Sequence, residues 1–230
     1  MKHINLSFAA CGFLGIYHLG AASALCKHGK KLLKDVQAFA GASAGSLVAS
    51  VLLTAPEKIE VISSSFSSSK KQRPQKRHMV TFSLLIFVPS GWSWWLAEAF
   101  VNTAVPALEI KIKHATTKIQ LFGFFPCGRV FPQKWIDGGF TDSLPILPGG
   151  RTVTISPFSG RLDISPQDKG QLGLYVGIAN QHILLSMANL VRLHQALFPP
   201  NKRIMESLYQ RGFDDAVKFL LKESWFEQNA

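Results

Sequence analysis

Cysteine is scarce in this sequence: Cys11, Cys26 and Cys127 are odd in number and far apart. That spacing excludes a disulfide framework and a zinc knuckle, and favours a reducing compartment. Long apolar runs are also missing. Met79–Val88 stops at Pro89-Ser90-Gly91, and the apolar stretch that follows to Leu108 is broken by Glu98, Asn102 and Pro106. A spanning helix needs about 20 continuous apolar residues, so this region reads as a buried strand or a segment lying at a membrane interface. The N-terminal Met-Lys-His-Ile-Asn-Leu-Ser-Phe lacks a continuous apolar region with a cleavage site. It reads as a strand and not a signal peptide, and a cytosol-facing protein is expected. Carboxylates are few as well, 14 against 25 Lys and Arg, for a net charge of +11. Such a surplus suits an anionic partner. No nucleic-acid motif accompanies it, so a lipid surface is expected and nucleic acid is not.

What is present fits one α/β domain over residues 1–230, with 47% hydrophobic residues to fill a core. Residues 4–9 alternate apolar and polar side chains and predict a first strand. The turn Cys11-Gly12-Phe13-Leu14-Gly15 follows, then a helix from Ile16 to about Lys27 that Gly29 ends. Residues 35–40 predict a second strand. Leu47, Val48, Val51 and Leu52 predict a buried helix to about Thr54, broken at Pro56. Strand–helix alternation implies a three-layer α/β/α arrangement around a mostly parallel central sheet.

From 62 to 130 the character is atypical. Ser63–Ser69 is almost all serine, and five basic residues fall within 70–77, so 63–77 reads as a solvated loop or disordered insert. Trp92, Trp94 and Trp95 are candidate interfacial anchors. Trp135-Ile136-Asp137 reads as a strand end entering a tight turn at Gly138-Gly139, and Arg151–Ser156 as a further strand. His182–Leu197 is amphipathic, with Ile183, Met187, Leu190, Val191, His194 and Leu197 sharing one face. A last helix is expected from an Asp214 cap, carrying Val217, Leu220, Leu221 and Trp225 inward.

Three short segments carry chemistry. Gly41-Ala42-Ser43-Ala44-Gly45 is a G-x-S-x-G placed between a strand and a helix, where a serine can sit on a sharp elbow. Side chains at Gly41 and Gly45 would clash with neighbouring backbone, and the helix N-terminus behind Ser43 favours a developing oxyanion. Taken alone, the pattern also arises by chance. The turn at Cys11–Gly15 is either a plain strand-to-helix turn or a set of amides that faces an anion. An isolated Asp137-Gly138-Gly139 is ordinarily a turn aspartate bonded to its own backbone. Held partly desolvated, its carboxylate would instead take a proton from Ser43 and return it to a leaving group.

In order and spacing these segments resemble the patatin-like phospholipase family. The resemblance lies in Cys11–Gly20, Gly41–Leu47 and Trp135–Pro145, and extends over about 1–60 and 131–230. Ala10 stands where that family's turn usually opens with another glycine. The resemblance implies a patatin-like fold and a Ser–Asp dyad without a catalytic histidine, with Ser43 as nucleophile and Asp137 as base. Amides of Cys11, Gly12, Phe13 and Gly15 would form the oxyanion hole. It further implies triacylglycerol, phospholipid or retinyl ester substrates, no metal and no cofactor, and peripheral residence on lipid droplets or intracellular membranes, mitochondria included. Oligomeric state is not legible. Two rivals stand beside this reading. One is an inactive family variant that only docks on lipid; the other is an α/β-hydrolase esterase with a Ser-His-Asp triad. Against the triad, His78, His114, His182 and His194 all sit in basic or helical surroundings and not in a loop at a strand end.

Overall fold

The computed structural model describes residues 3–67, 120–122, 124–127, 134–137, 142–168 and 173–228. The basic stretch 70–77, the Met79–Val88 run, the three tryptophans, and Gly138 and Gly139 lie outside the described residues.

The central sheet is parallel throughout. Strand β1 (Ile4–Phe8) lies between β2 (Val36–Ala42) and β6 (Arg151–Ile155), and β3 (Gln120–Phe122) extends the sheet beyond β2. Phe8 is in register with Gly41 on one side and Ile155 on the other. Strands β4 (Phe124–Cys127) and β5 (Lys134–Asp137) form an antiparallel ribbon, and β7 (Tyr175–Ile178) and β8 (Gln181–Leu184) a hairpin. The hairpin turn is Ala179-Asn180, with φ of 42° and 69°. Both values are positive, as a type I′ turn requires.

The alternation read in residues 4–9 has a simple origin. Ile4, Leu6 and Phe8 join the apolar core, while Asn5 and Ser7 are buried under the segment 142–150. Asn5 Nδ2 donates to Gly149 O at 2.8 Å and Ser7 Oγ to Pro145 O at 2.6 Å. Each polar group is thus satisfied by a backbone carbonyl, as burial demands.

Helix α1 (Gly15–His28) is buried continuously from Ile16 to Leu25. It is followed by a short α2 (Lys30–Asp35), by α3 (Ala44–Thr54) after β2, and by α4 (Ile59–Ser67) beyond a 3₁₀ turn at Pro56–Lys58. Helix α5 (Met187–Leu197) follows β8, and α6 (Lys202–Lys222) closes the fold. Helices α1 and α6 touch backbone to backbone. A Cβ on Gly20 would lie 2.0 Å from Tyr209 O, and one on Gly212 would lie 2.1 Å from Tyr17 O. Tyr17 Oη donates to Asp215 Oδ2 across this crossing at 2.9 Å. Burial and the adjacent carboxylate raise the Tyr17 phenol well above its usual value, and burial raises Asp215 too.

Four expectations need correction. As far as the described residues reach, the serine run is helix and not loop, because α4 continues through Ser67. Within the atypical stretch, β3 is a strand of the central sheet. The last helix starts at Lys202, capped by Asn201, whose Oδ1 accepts from Ile204 N at 3.0 Å. Asp214 is mid-helix, and Leu221 points outward with 57% exposure. Finally, the amphipathic stretch 182–197 is half strand and half helix, and its helical part is turned the other way: Asn189 and Arg192 are buried, and Met187, Leu190, Val191 and Leu197 are exposed.

Candidate active site

The strand order changes direction at β1, and the carboxyl edge beside such a switch is where open α/β sheets bind ligands. Both the 11–15 turn and Ser43 sit on that edge, since they follow β1 and β2 directly. Ser43 has φ 52° and ψ −126° between the end of β2 and the start of α3. A positive φ is costly for a residue with a Cβ, of order 1–3 kcal/mol, and survives only when its surroundings impose it.

The surroundings do so through the two flanking glycines. A Cβ on Gly41 would come within 2.6 Å of the Gly45 carbonyl, closing the elbow from inside. A Cβ on Gly45 would come within 2.4 Å of Phe8 O and 2.5 Å of Ala9 O. The first turn of α3 therefore rests on the end of β1. Ser46 N and Ser46 Oγ both donate to Ser43 O, at 3.0 and 2.6 Å, which fixes the carbonyl side of the elbow. Ala44 opens α3, so its amide is among those with no acceptor inside the helix.

The glycine turn lies against this elbow. Gly12–Leu14 is a 3₁₀ turn with Leu14 N donating to Cys11 O at 3.0 Å, and Gly12 has φ +53°. A Cβ on Gly12 would also strike Ala196 O of α5 at 2.2 Å. Gly15, by contrast, has room: its Cβ would make ordinary 3.4 Å contact with the Ala44 side chain. Helices α1 and α3 thus both begin beside Ser43, and each N-terminus carries about half a positive charge.

Ala9 and Ala10 tie these parts together. Ala9 N donates to Ile155 O at 2.9 Å, and Ala10 N to Ser143 O at 2.8 Å. Ala9 O accepts from His18 Nε2–H at 2.9 Å. Ser143 is held in turn by Gln181, whose Nε2 donates to both Ser143 Oγ and Ser143 O, and by Ala179 O. None of His18, Ser143 or Gln181 stood out in the sequence. The one signal that could have found the first is a histidine within a mostly apolar helix.

Asp137 ends β5, in register with Phe124 of β4. Phe124 is two residues beyond Phe122, which is in register with Ala42, the residue before Ser43. Each step from the elbow to Asp137 is therefore about 5–7 Å. From the other side, Asp137 is six residues from Ser143, a reach of at most about 20 Å.

His18 is fully buried, and its Nδ1 has no hydrogen-bond partner among the described residues. Burial pushes the imidazole from 6.5 down to about 4, against the opposing pull of the Ala9 carbonyl. The unfolded chain therefore binds the extra proton between those two values. Stability is full above about pH 6.5 and falls as the pH drops toward 4, by about 3 kcal/mol in all. In His18→Gln, which keeps a donor for Ala9 O, the drop in urea midpoint from about pH 7 to about pH 4.5 should largely disappear. An unchanged drop would show that another group governs acid stability. His194 is exposed and lies tilted at 4.8 Å against Phe198, whereas His182, also exposed, is in strand β8 beside the hairpin turn and not in the helical surroundings expected for it.

A family model described as patatin-like phospholipase matches residues 6–117. The chain is 58% identical over 253 residues to patatin-like phospholipase domain-containing protein 4 of Homo sapiens, covering 99% of this chain and 100% of that protein. It is 32% identical over 246 residues to patatin-like phospholipase domain-containing protein 2 of Homo sapiens, covering 95% of this chain and 48% of that one. A third relative, named 1-acylglycerol-3-phosphate O-acyltransferase PNPLA3 in Homo sapiens, is 30% identical over 246 residues, with 94% and 50% covered. The chain thus spans the whole of the first relative and about half the length of the other two. No solved structure matches it. With its glycine turn and serine elbow side by side on a parallel sheet, the chain belongs to the patatin-like phospholipase family and has that family's three-layer α/β/α fold.

Proposed function

We propose that this chain is a lipid acyl hydrolase working through Ser43 and Asp137. The observation that carries the reading is the strained backbone at Ser43, imposed by Gly41 and Gly45 beside the glycine turn. Ser43 gives its proton to the Asp137 carboxylate as Oγ attacks the ester carbonyl. The amides of Cys11, Gly12 and Phe13, in the turn that Gly15 closes, stabilise the oxyanion. A single such donor is worth roughly 3–4 kcal/mol. Asp137 then protonates the leaving alcohol as the C–O bond breaks, and an acyl-enzyme remains. Water, deprotonated by Asp137, attacks the acyl carbonyl, and the fatty acid leaves as Asp137 returns that proton to Ser43 Oγ. An alcohol in place of water would give acyl transfer, the chemistry named for the O-acyltransferase relative.

The substrates are triacylglycerol, phospholipid or retinyl esters, met at the cytoplasmic surface of lipid droplets or intracellular membranes. No helix among the described residues is long and apolar enough to cross a membrane. The single domain 1–230 and the pairing of Asp137 with Ser43 belong to this same reading.

Turnover of emulsified triolein, phosphatidylcholine and retinyl palmitate tests it. Asp137→Asn should lose about 10²–10⁴-fold. Single Gln replacements at His78, His114, His182 and His194 should stay within about threefold of the parent. A histidine variant as impaired as Asp137→Asn would support the triad, and a parent chain inert on every ester would support the lipid-docking variant.

A further inference from the structure

Helix α5 is built inside out. Its buried side is polar: Arg192 pairs bidentately with Asp168 at 2.5 and 2.8 Å, and also donates to Ser159 Oγ and Asn189 Oδ1. Asn189 Nδ2 donates to Ser159 O and Leu184 O, and the Ser186 hydroxyl caps the helix by accepting from Asn189 N. The arginine holds the Asp168 carboxyl below its ordinary range. This network fixes the rotation of the helix. Its outer side is therefore left apolar, with Met187 76%, Leu190 49%, Val191 52% and Leu197 57% exposed. Leu185 and Ile178, from the adjoining hairpin, are 54% and 55% exposed. Contiguous apolar surface of this kind marks an interaction site.

Two observations select the occupant. No Asp or Glu lies between Asp168 and Glu206, a span that carries Lys202 and Arg203 at its end. The span thus offers an anionic layer two cations, Arg203 and Lys202, the latter 3.8 Å from Glu206, and the carboxylate at the hairpin turn, Asp142, is engaged by Asn180 Nδ2 at 3.2 Å. The same helix also touches the glycine turn, where Ala196 O stands against Gly12. A layer resting on this face would lie at the rim of the Ser43 site.

We propose that the outer face of α5 and the β7–β8 hairpin is the surface by which this chain docks on anionic phospholipid, bringing esters in that layer beside the glycine turn. The inference rests on the reading of the Ser43 site as an esterase of layered lipid, and locates the contact that such a site needs. Apolar side chains enter the acyl boundary while the two cations meet headgroups.

Flotation of the full chain with phosphatidylcholine vesicles containing phosphatidylserine reads the docking directly. Combining Leu190→Glu with Val191→Glu adds two charges at already exposed positions, so the thermal midpoint should hold. Binding should fall at least about tenfold. Leu221→Glu, equally exposed on α6 two residues before Glu223, the partner of Arg151, should keep binding within about twofold of the parent. Equal binding by the double variant and the parent would overturn the proposal. So would a parent dimer that sedimentation shows dissolving in the double variant without any vesicle binding. Turnover of a soluble short-chain ester by the parent separates the two readings: none, with flotation intact, condemns the Ser–Asp mechanism but not the docking surface.

Discussion

Replacing Ser43 by glycine should make the chain more stable and catalytically dead at once. The φ of 52° at Ser43 is imposed on a residue with a Cβ, which costs of order 1–3 kcal/mol. Glycine occupies that backbone region freely and gives back part of the gain through the greater freedom of its unfolded state. The net expectation is about 1 kcal/mol of added stability, a rise of about 2–4 °C in thermal midpoint for a chain of this size. Loss of the hydroxyl removes the nucleophile, so turnover should fall about 10⁴-fold or more. Ser43→Ala separates the two effects. It should be as inactive as the glycine variant but no more stable than the parent, because its Cβ keeps the strain. A glycine variant no more stable than the parent would mean that the elbow stores no strain.

Gly45→Ala should be the most damaging single methyl group in the molecule's elbow. Its Cβ would need to occupy space 2.4 Å from Phe8 O and 2.5 Å from Ala9 O. Both are backbone atoms of a central strand, and that strand's position is set by β2, β6 and the Ala9–Ile155 bond. Neither partner can yield cheaply, so a cost of about 3 kcal/mol or more is expected, with the elbow displaced from β1. A shift of about 1 Å at the nucleophile lowers turnover by about 10²-fold in whatever protein survives. Gly149→Ala is the comparison: it also has positive φ, 85°, but no atom within 4 Å of its Cβ. It should lose only about 1 kcal/mol. If the two variants melt together, the close approach of α3 to β1 does not hold the elbow.

How far the sequence revealed this architecture varies from one element to the next. The first strand, the serine elbow and the helix behind it were legible because local pattern and tertiary environment agree there. Glycines at 41 and 45, an alternating strand and a 3.6-residue period all name the same geometry. The orientation of α5 was not legible. Periodicity identifies a face but not which side of it is the interior, and the Arg192–Asp168 pair that decides the matter joins residues 24 apart in sequence. The start of α6 is not legible because Asp214, a residue type that favours caps, sits in mid-helix. Gly212 permits the close crossing with α1, while the true cap, Asn201, follows two prolines. Strand β3 is three residues long, too short to show a period, and its pairing with Ala40–Ala42 supplies what its sequence cannot. For the site, the serine and the glycine turn could be read from spacing. The Ala9–Ala10 junction through His18, Ser143 and Gln181 is wholly a product of folding. So are the registers that lead from Ala42 to Asp137.

The proposed mechanism requires Ser43 to be a nucleophile made reactive by Asp137. Labelling of the intact chain with a fluorophosphonate, followed by peptide mass analysis, addresses it most directly. A single adduct on Ser43, formed at least about 10²-fold more slowly in Asp137→Asn, is the expected result. An adduct on another residue, or equal labelling rates in the two chains, would contradict the account.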